Sequence, residues 1–163
     1  MNIRNATMDD LDEVTRVESE CFPAAEAASR EELEQRLNAY PQHFWLLEDE
    51  GKLVAFVDGM TTDCDKLTDE MFADASLHNE YGAWQMIFGV NTVPEYRRRG
   101  CAAALPKCAI ATAAAQNRRG LVLTCKDELV HYYAKFGFVD EGISDSTHGG
   151  AVWHDMRLTF HKN

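Results

Sequence analysis

No stretch of this 163-residue chain is apolar for long enough to span a bilayer. The opening MNIRNATMDDLDEV lacks the apolar core of a secretory signal, so a cytoplasmic location with no membrane partner is expected. Cysteine is sparse and unpatterned. Cys21, Cys64, Cys101, Cys108 and Cys125 form no CxxC pair and no zinc spacing, which argues against a disulfide framework and leaves no metal site to assign. In a reducing compartment such residues belong to the core. Basic side chains are outnumbered, 16 Lys and Arg against 27 Asp and Glu, giving a formal charge of −11. Nucleic acid, which needs a broad basic face, is therefore not an expected partner. An acidic surface favours collecting small cations instead. There is no repeat, biased tract or Pro/Gly-rich linker, and residues 1–163 are expected to form one domain.

What is present reads as alternating strand and helix. Ile3 opens a short first strand. Thr7 to Asp10 resembles a capping box ahead of a helix with Leu11, Val14, Val17 and Cys21 at helical spacing, stopped by Pro23. Ser29 to Glu32 is a second capping box, opening a helix with Leu33 and Leu37 on its apolar face. Phe44–Glu48 and Lys52–Val57 read as strands around the turn Asp49-Glu50-Gly51. Thr61 to Tyr81 reads as a polar loop with a short helix. Trp84–Val93 is the most apolar strand and should be central. Cys101–Gln116 is an alanine-rich helix, and Leu121–Cys125 a buried strand. Asp127 looks like the N-cap of a helix through Lys135, with Gly137 at its stop. Ile143–Ser146 and Ala151–Phe160 suggest a closing hairpin. The order β-α-α-β-β-β-α-β-α-β-β implies an α/β protein with a mixed central sheet of about seven strands and helices on both faces.

Neither GxxxxGK[ST] nor GxGxxG occurs, yet one strand-to-helix corner is built for an anion. After Val93 comes YRRRGCA, residues 96–102. The first N–H groups of a helix lack partners and lie at the positive end of its dipole. Gly100 allows close backbone approach, Ala102 keeps the path narrow but open, and the arginines add forked, charge-assisted hydrogen bonds. The spacing Arg97-x-x-Gly100-x-Ala102 resembles the Q/R-x-x-G-x-G/A pyrophosphate loop of the GCN5-related N-acetyltransferases, the GNAT superfamily. The preceding strand, the Ala-rich helix, LVLTCKDELVHYYAKFGF and the last hairpin follow the family's order across residues 1–160. GKLVAFVDG, DKLTDEMF and LVLTCKDELVHYYAKFGF are similar to segments of the arylalkylamine (serotonin) N-acetyltransferase branch.

The resemblance implies an acyltransferase that binds acetyl-CoA, releases coenzyme A, and passes acetyl to the primary amine of a small molecule in a ternary complex. By alignment, the cofactor would run along the backbone of Val90, Asn91 and Thr92 and be held by Arg97, Arg98, Arg99, Gly100, Cys101, Ala102 and Ala103. A strand bulge near Gly89 would splay a backbone N–H toward the thioester carbonyl as an oxyanion hole. Tyr133, just ahead of Lys135-Phe136-Gly137-Phe138, takes the place of the acid that protonates the leaving thiolate, also touching the cofactor; a phenol with its ordinary pKa of about 10 suits that task.

The base is where the chain departs from that branch. The two histidines of the branch align with Met86 and Phe88, neither of which takes a proton. Glu26, in the loop that covers the acceptor site in the family, is the candidate in their place. Cys125 beside the expected thioester reads as a buried, inert thiol. Pro106 lies inside the helix after the arginine turn and should kink it. His131, His148 and His154 carry no assigned role. Two alternatives stay open, acetylation of a protein or peptide amine and a catalytically silent acyl-CoA-binding module, and a homodimer is the self-association kept in view.

Overall fold

The computed structural model describes residues 1–161. Both capping boxes form. Asp9 N donates to Thr7 Oγ1 and Thr7 N to the Asp10 carboxylate, opening a short 3-10 turn that runs into α1 (Leu11–Cys21). Glu32 N donates to Ser29 Oγ and Ser29 N to Glu32 Oε1 at the start of α2 (Arg30–Ala39). The strands β1 (Asn2–Asn5), β2 (Phe44–Asp49) and β3 (Lys52–Asp58) form an antiparallel meander. Its tight turn has Glu50 and Gly51 at φ 51° and 79°, the left-handed pair that suits a two-residue hairpin.

The span expected as a loop holds β4 (Thr61–Thr62) and α3 (Asp69–Ala73). Beyond it come β5 (Trp84–Ile87), β6 (Gly89–Thr92), α4 (Ala104–Ala115), β7 (Gly120–Cys125), α5 (Val130–Ala134), β8 (Val139–Ile143) and β9 (His154–Thr159). The ladders run β1-β2-β3-β6 and β4-β5-β7-β9-β8, with β5 and β7 parallel and the other pairs antiparallel.

Several expectations are corrected here. The expected single strand over residues 84–93 is two and β4 is a further one, so nine strand segments are found among the described residues rather than about seven. The closing hairpin uses Val139–Ile143 in place of Ile143–Ser146. This strand lies at a sheet edge and four of its five residues are exposed, so no apolar alternation marks it. Asp127 is not a cap: Lys126 precedes the turn, and no side chain caps it. Pro106 does not sit deep in its helix, because residues 101–103 form a separate 3-10 turn and α4 begins at Ala104. Proline is then the third residue of the helix, where an N–H has no intrahelical partner to lose.

The break between β5 and β6 has a plain cause in register. Thr61 pairs with Gln85 and Asp58 with Gly89, so the strand 84–92 spends four steps where its partner spends three. That is a β-bulge at Phe88, whose N–H donates to Asp58 O at 2.8 Å. Opposite it, a Cβ on Gly59 would lie 1.8 Å from Met86 O, so only glycine passes. Before the bulge the chain pairs with β7; after it the chain pairs with β3 alone, and a gap opens between β6 and β7.

Alternation along the strands assigns the two faces. Val57 and Val90 look toward α4, in contact with Pro106, Ala109 and Ile110. Asp58 and Asn91, one residue on, look toward α2 and α1, where they meet Arg36 and Glu18. Arg36 and Asp58 form a buried ion pair at 3.0 Å, and the same guanidinium donates to Phe72 O and stacks 4.7 Å from the Phe88 ring centroid. Glu80 gathers a second polar knot from Gln42, His43, His78 and Arg118. His43, His78 and Glu80 are close enough to suggest a metal site. However, Thr61 N–H donates to His78 Nδ1, which leaves the ring proton on Nε2 facing Glu80, and Arg118 already supplies a positive charge. No helix among the described residues is long and apolar enough to cross a membrane.

Replacing Asp58 with Ala strands the Arg36 charge in the interior. We expect a loss of roughly 3–5 kcal/mol, read from the midpoint of chemical denaturation.

Candidate active site

The gap opened by the bulge is the main cleft of the molecule. Gly89 and Val90 line one side, Thr124, Cys125, Leu129 and Tyr133 the other, and residues from α1, α2 and the loops close its far end. Val93 N–H donates to Val54 O at 2.9 Å. Alternation from that bond turns the peptide groups of Asn91 toward β3 and those of Val90 and Thr92 into the gap. Val90 and Thr92 therefore present free N–H groups along the open edge. Asn91, expected beside them, turns its backbone to β3 and buries its side chain, donating from Nδ2 to Glu18 Oε1 at 2.6 Å.

From that edge the chain runs into the arginine turn. Pro94–Tyr96 form one 3-10 turn, Arg98 and Gly100 take left-handed φ values of 67° and 75°, and a second 3-10 turn at Cys101–Ala103 leads into α4. The arginines differ in use. Arg97 Nε donates back to Thr92 O at 3.0 Å, tying the turn to the strand. Arg99 stacks over Tyr96, 4.5 Å from its centroid. All three remain exposed, with Cys101, Ala102 and Ala103 half-buried at the helix entrance. Free N–H groups at a helix start beside guanidinium groups fit a pyrophosphate.

Tyr133 faces the same cleft from α5. Its hydroxyl makes no hydrogen bond to a protein group among the described residues, and burial first, then nearby Cys125, push its pKa above the ordinary value expected for it. The phenol thus keeps its proton throughout the neutral range. Cys125 is buried and its thiol is pushed up to about 12, mainly by desolvation, so it is no nucleophile at neutral pH. Met86 is fully buried, and Phe88 lies beneath Arg36.

Glu26 lies at the mouth of the cleft rather than loose in solvent. Lys126 Nζ sits 2.7 Å from its carboxylate, His148 Nε2 donates to its carbonyl at 2.8 Å, and Trp153 Nε1 donates to His148 O. These contacts stitch the α1–α2 loop, the β7–α5 turn and the β8–β9 loop together. Sequence reasoning passed over Glu18, which is buried on α1 in the cleft wall. The signal was present: with Leu11, Val14 and Cys21, position 18 continues the apolar stripe of α1, and an acid there is out of place.

With this geometry in view, a family profile described as Acetyltransferase (GNAT) domain matches residues 2–139. The chain belongs to that family and is an acyltransferase that uses an acyl-CoA and an acceptor. The fold is similar to the loading GNATL domain of CurA from Lyngbya majuscula, with a TM-score of 0.83 and 18% identity over 97% of this chain and 96% of that one. It is similar to a GphF GNAT-like decarboxylase in complex with isobutyryl-CoA, at 0.82 and 22% over 98% and 99%. The ribosomal-protein-S18-alanine N-acetyltransferase from Escherichia coli gives 0.73 and 18% over 99% and 95%. At such identities the likeness is one of fold. No curated protein matches the chain in sequence.

Gly100→Ala forces a Cβ into a left-handed conformation costing about 1–2 kcal/mol. Calorimetric titration with coenzyme A should show affinity falling by about tenfold, and the same strain should lower the melting temperature by a few degrees.

Proposed function

We propose that the protein transfers acetyl from acetyl-CoA to the primary amine of a small molecule, as its likeness to the arylalkylamine branch suggested. The observation that carries this reading is the β6–β7 cleft, with free N–H groups of Val90 and Thr92 on one wall and the unbonded Tyr133 hydroxyl on the other. Acyl-CoA supplies the activated thioester; the arginine turn and the start of α4 would hold its pyrophosphate.

On this reading the N–H of Val90 polarises the thioester carbonyl, as a donor fixed in a strand needs no reorganisation when negative charge develops. Tyr133 gives its phenolic proton to the departing sulfur. The stitched mouth of the cleft favours a compact acceptor over a peptide laid across the surface. Phe22, Phe72, Phe88 and Trp153 provide apolar walls for it.

The test is thiol release over a panel of aryl- and alkylamines, amino acids and polyamines. Tyr133→Phe should lower kcat by roughly 10²-fold or more, in the range of a general acid, with the Kd for acetyl-CoA within about twofold of wild type. An unchanged kcat would remove Tyr133 from the reaction.

A further inference from the structure

Among the buried charged groups lining the cleft, Glu18 stands apart; Glu32, also in the lining, is half-buried and is held by Ser29 in its capping box. Asp58 is paired with Arg36 and Glu26 with Lys126. Glu18 is 6% exposed and has no cation within ion-pair distance among the described residues. Its two oxygens are nonetheless held. Oε2 accepts Ala28 N–H at 2.9 Å, and Oε1 accepts Asn91 Nδ2 at 2.6 Å. Both partners are N–H donors, which favour the ionised, proton-accepting form.

The strand is shaped to make this contact. A Cβ on Gly89 would lie 2.9 Å from Asn91 Oδ1 and 3.3 Å from the Phe22 ring, so the missing side chain is what lets Asn91 turn toward α1. Glu18 is therefore tied to the strand just past the bulge and shares the cleft lining with Val90. It lines the cleft without a cation of its own, and an ammonium group entering there has the complementary charge.

We propose that Glu18 is the general base that takes the proton of the acceptor amine, and that Asn91 positions it. This rests on the N-acetylation reading above. The ammonium nitrogen gives one proton to Glu18, which later passes it to solvent. The neutral nitrogen then attacks the thioester carbonyl; a nitrogen–carbon bond forms and the carbon–sulfur bond breaks. Tyr133 gives its proton to sulfur and recovers one from the nitrogen as the amide is completed. One proton is released per turnover.

The surroundings are consistent with that role. Burial first, then the negative charge of Asp58, raise the Glu18 carboxyl to about 7, against the smaller opposing effects of Ala28 N–H, Arg36 and Asn91. A base is most effective near the working pH. Cys21 on the same helix, Glu26, Glu32, Cys125, Tyr133 and His148 in the cleft lining, and Lys126 paired with Glu26 are the other titratable groups nearby. His148 is the rival. Its Nε2 is committed to Glu26 O, and its ring stacks on Phe72 at 4.9 Å, which makes it part of the wall.

A carboxyl raised to about 7 is protonated below that pH and accepts protons above it, so kcat/KM should climb through about pH 7. The experiment compares pH profiles of wild type, Glu18→Gln, Asn91→Ala and His148→Gln on 2-phenylethylamine and on its less basic β,β-difluoro analogue. Glu18→Gln should lose the limb near 7 and about 10²-fold in kcat/KM on the first amine, with the deficit shrinking to under about tenfold on the second, which arrives largely deprotonated. Asn91→Ala should move the limb up by about one pH unit, since it removes a donor to the charged form. Should Glu18→Gln fail to fold, the Asn91→Ala shift decides. A Glu18→Gln enzyme that keeps its rate and its limb overturns the assignment, as does a limb that disappears only in His148→Gln. A wild-type protein that binds acetyl-CoA yet turns over no amine sinks the N-acetylation reading itself, and with it any base.

Discussion

Past Phe88 the strand that had paired with β7 pairs with β3 alone, because one extra residue has entered its ladder. The rest of the site follows from that residue. Without the bulge, β6 and β7 would share hydrogen bonds and no gap would exist. With it, Val90 and Thr92 present unpaired N–H groups to the gap, and the chain reaches the arginine turn aimed at the start of α4. The same shift places Asn91 under α1. Gly59 on the partner strand is the steric counterpart, since any side chain there would meet the carbonyl of Met86.

Charge inside the cleft is arranged by the same geometry. The Arg36–Asp58 pair lies under the bulge, with Arg36 clamping Phe72 and Phe88, so the apolar wall and the buried ions hold one another in place. Glu26 and Lys126 close the mouth. What is left over in the interior, among the described residues, is one buried carboxylate without a cation, Glu18, and a phenol, Tyr133, both lining one cleft. Burial moves both pKa values upward: the carboxyl into the neutral range, and the phenol further above it.

Local chemistry explains which features could be read in advance. Capping boxes at Thr7 and Ser29, the hairpin turn at Gly51 and the Arg97-x-x-Gly100-x-Ala102 turn depend on a few adjacent residues, and each is found in the fold. Pro106 was misplaced because the sequence shows an alanine-rich run and not the 3-10 turn that postpones the α-helix to Ala104. The edge strand at Val139 was missed for lack of buried alternation; its pairing with β9 alone defines it. Glu18 was passed over because a glutamate on a helix is usually solvated, and only the arrival of Asn91 from 73 residues away makes it a buried group.

Sequence by itself determined both capped helices, the hairpin turn and the arginine–glycine turn, since each is specified by neighbours within a turn or two of chain. Tertiary structure alone decided the register of residues 84–92 against β3, β4 and β7. With that came the gap, the direction of each N–H along it, and the identity of the carboxylate without a cation. A bulge is a difference between two strands, and a pKa shift is a sum over groups from different elements. Neither quantity exists until the chain has brought those elements together.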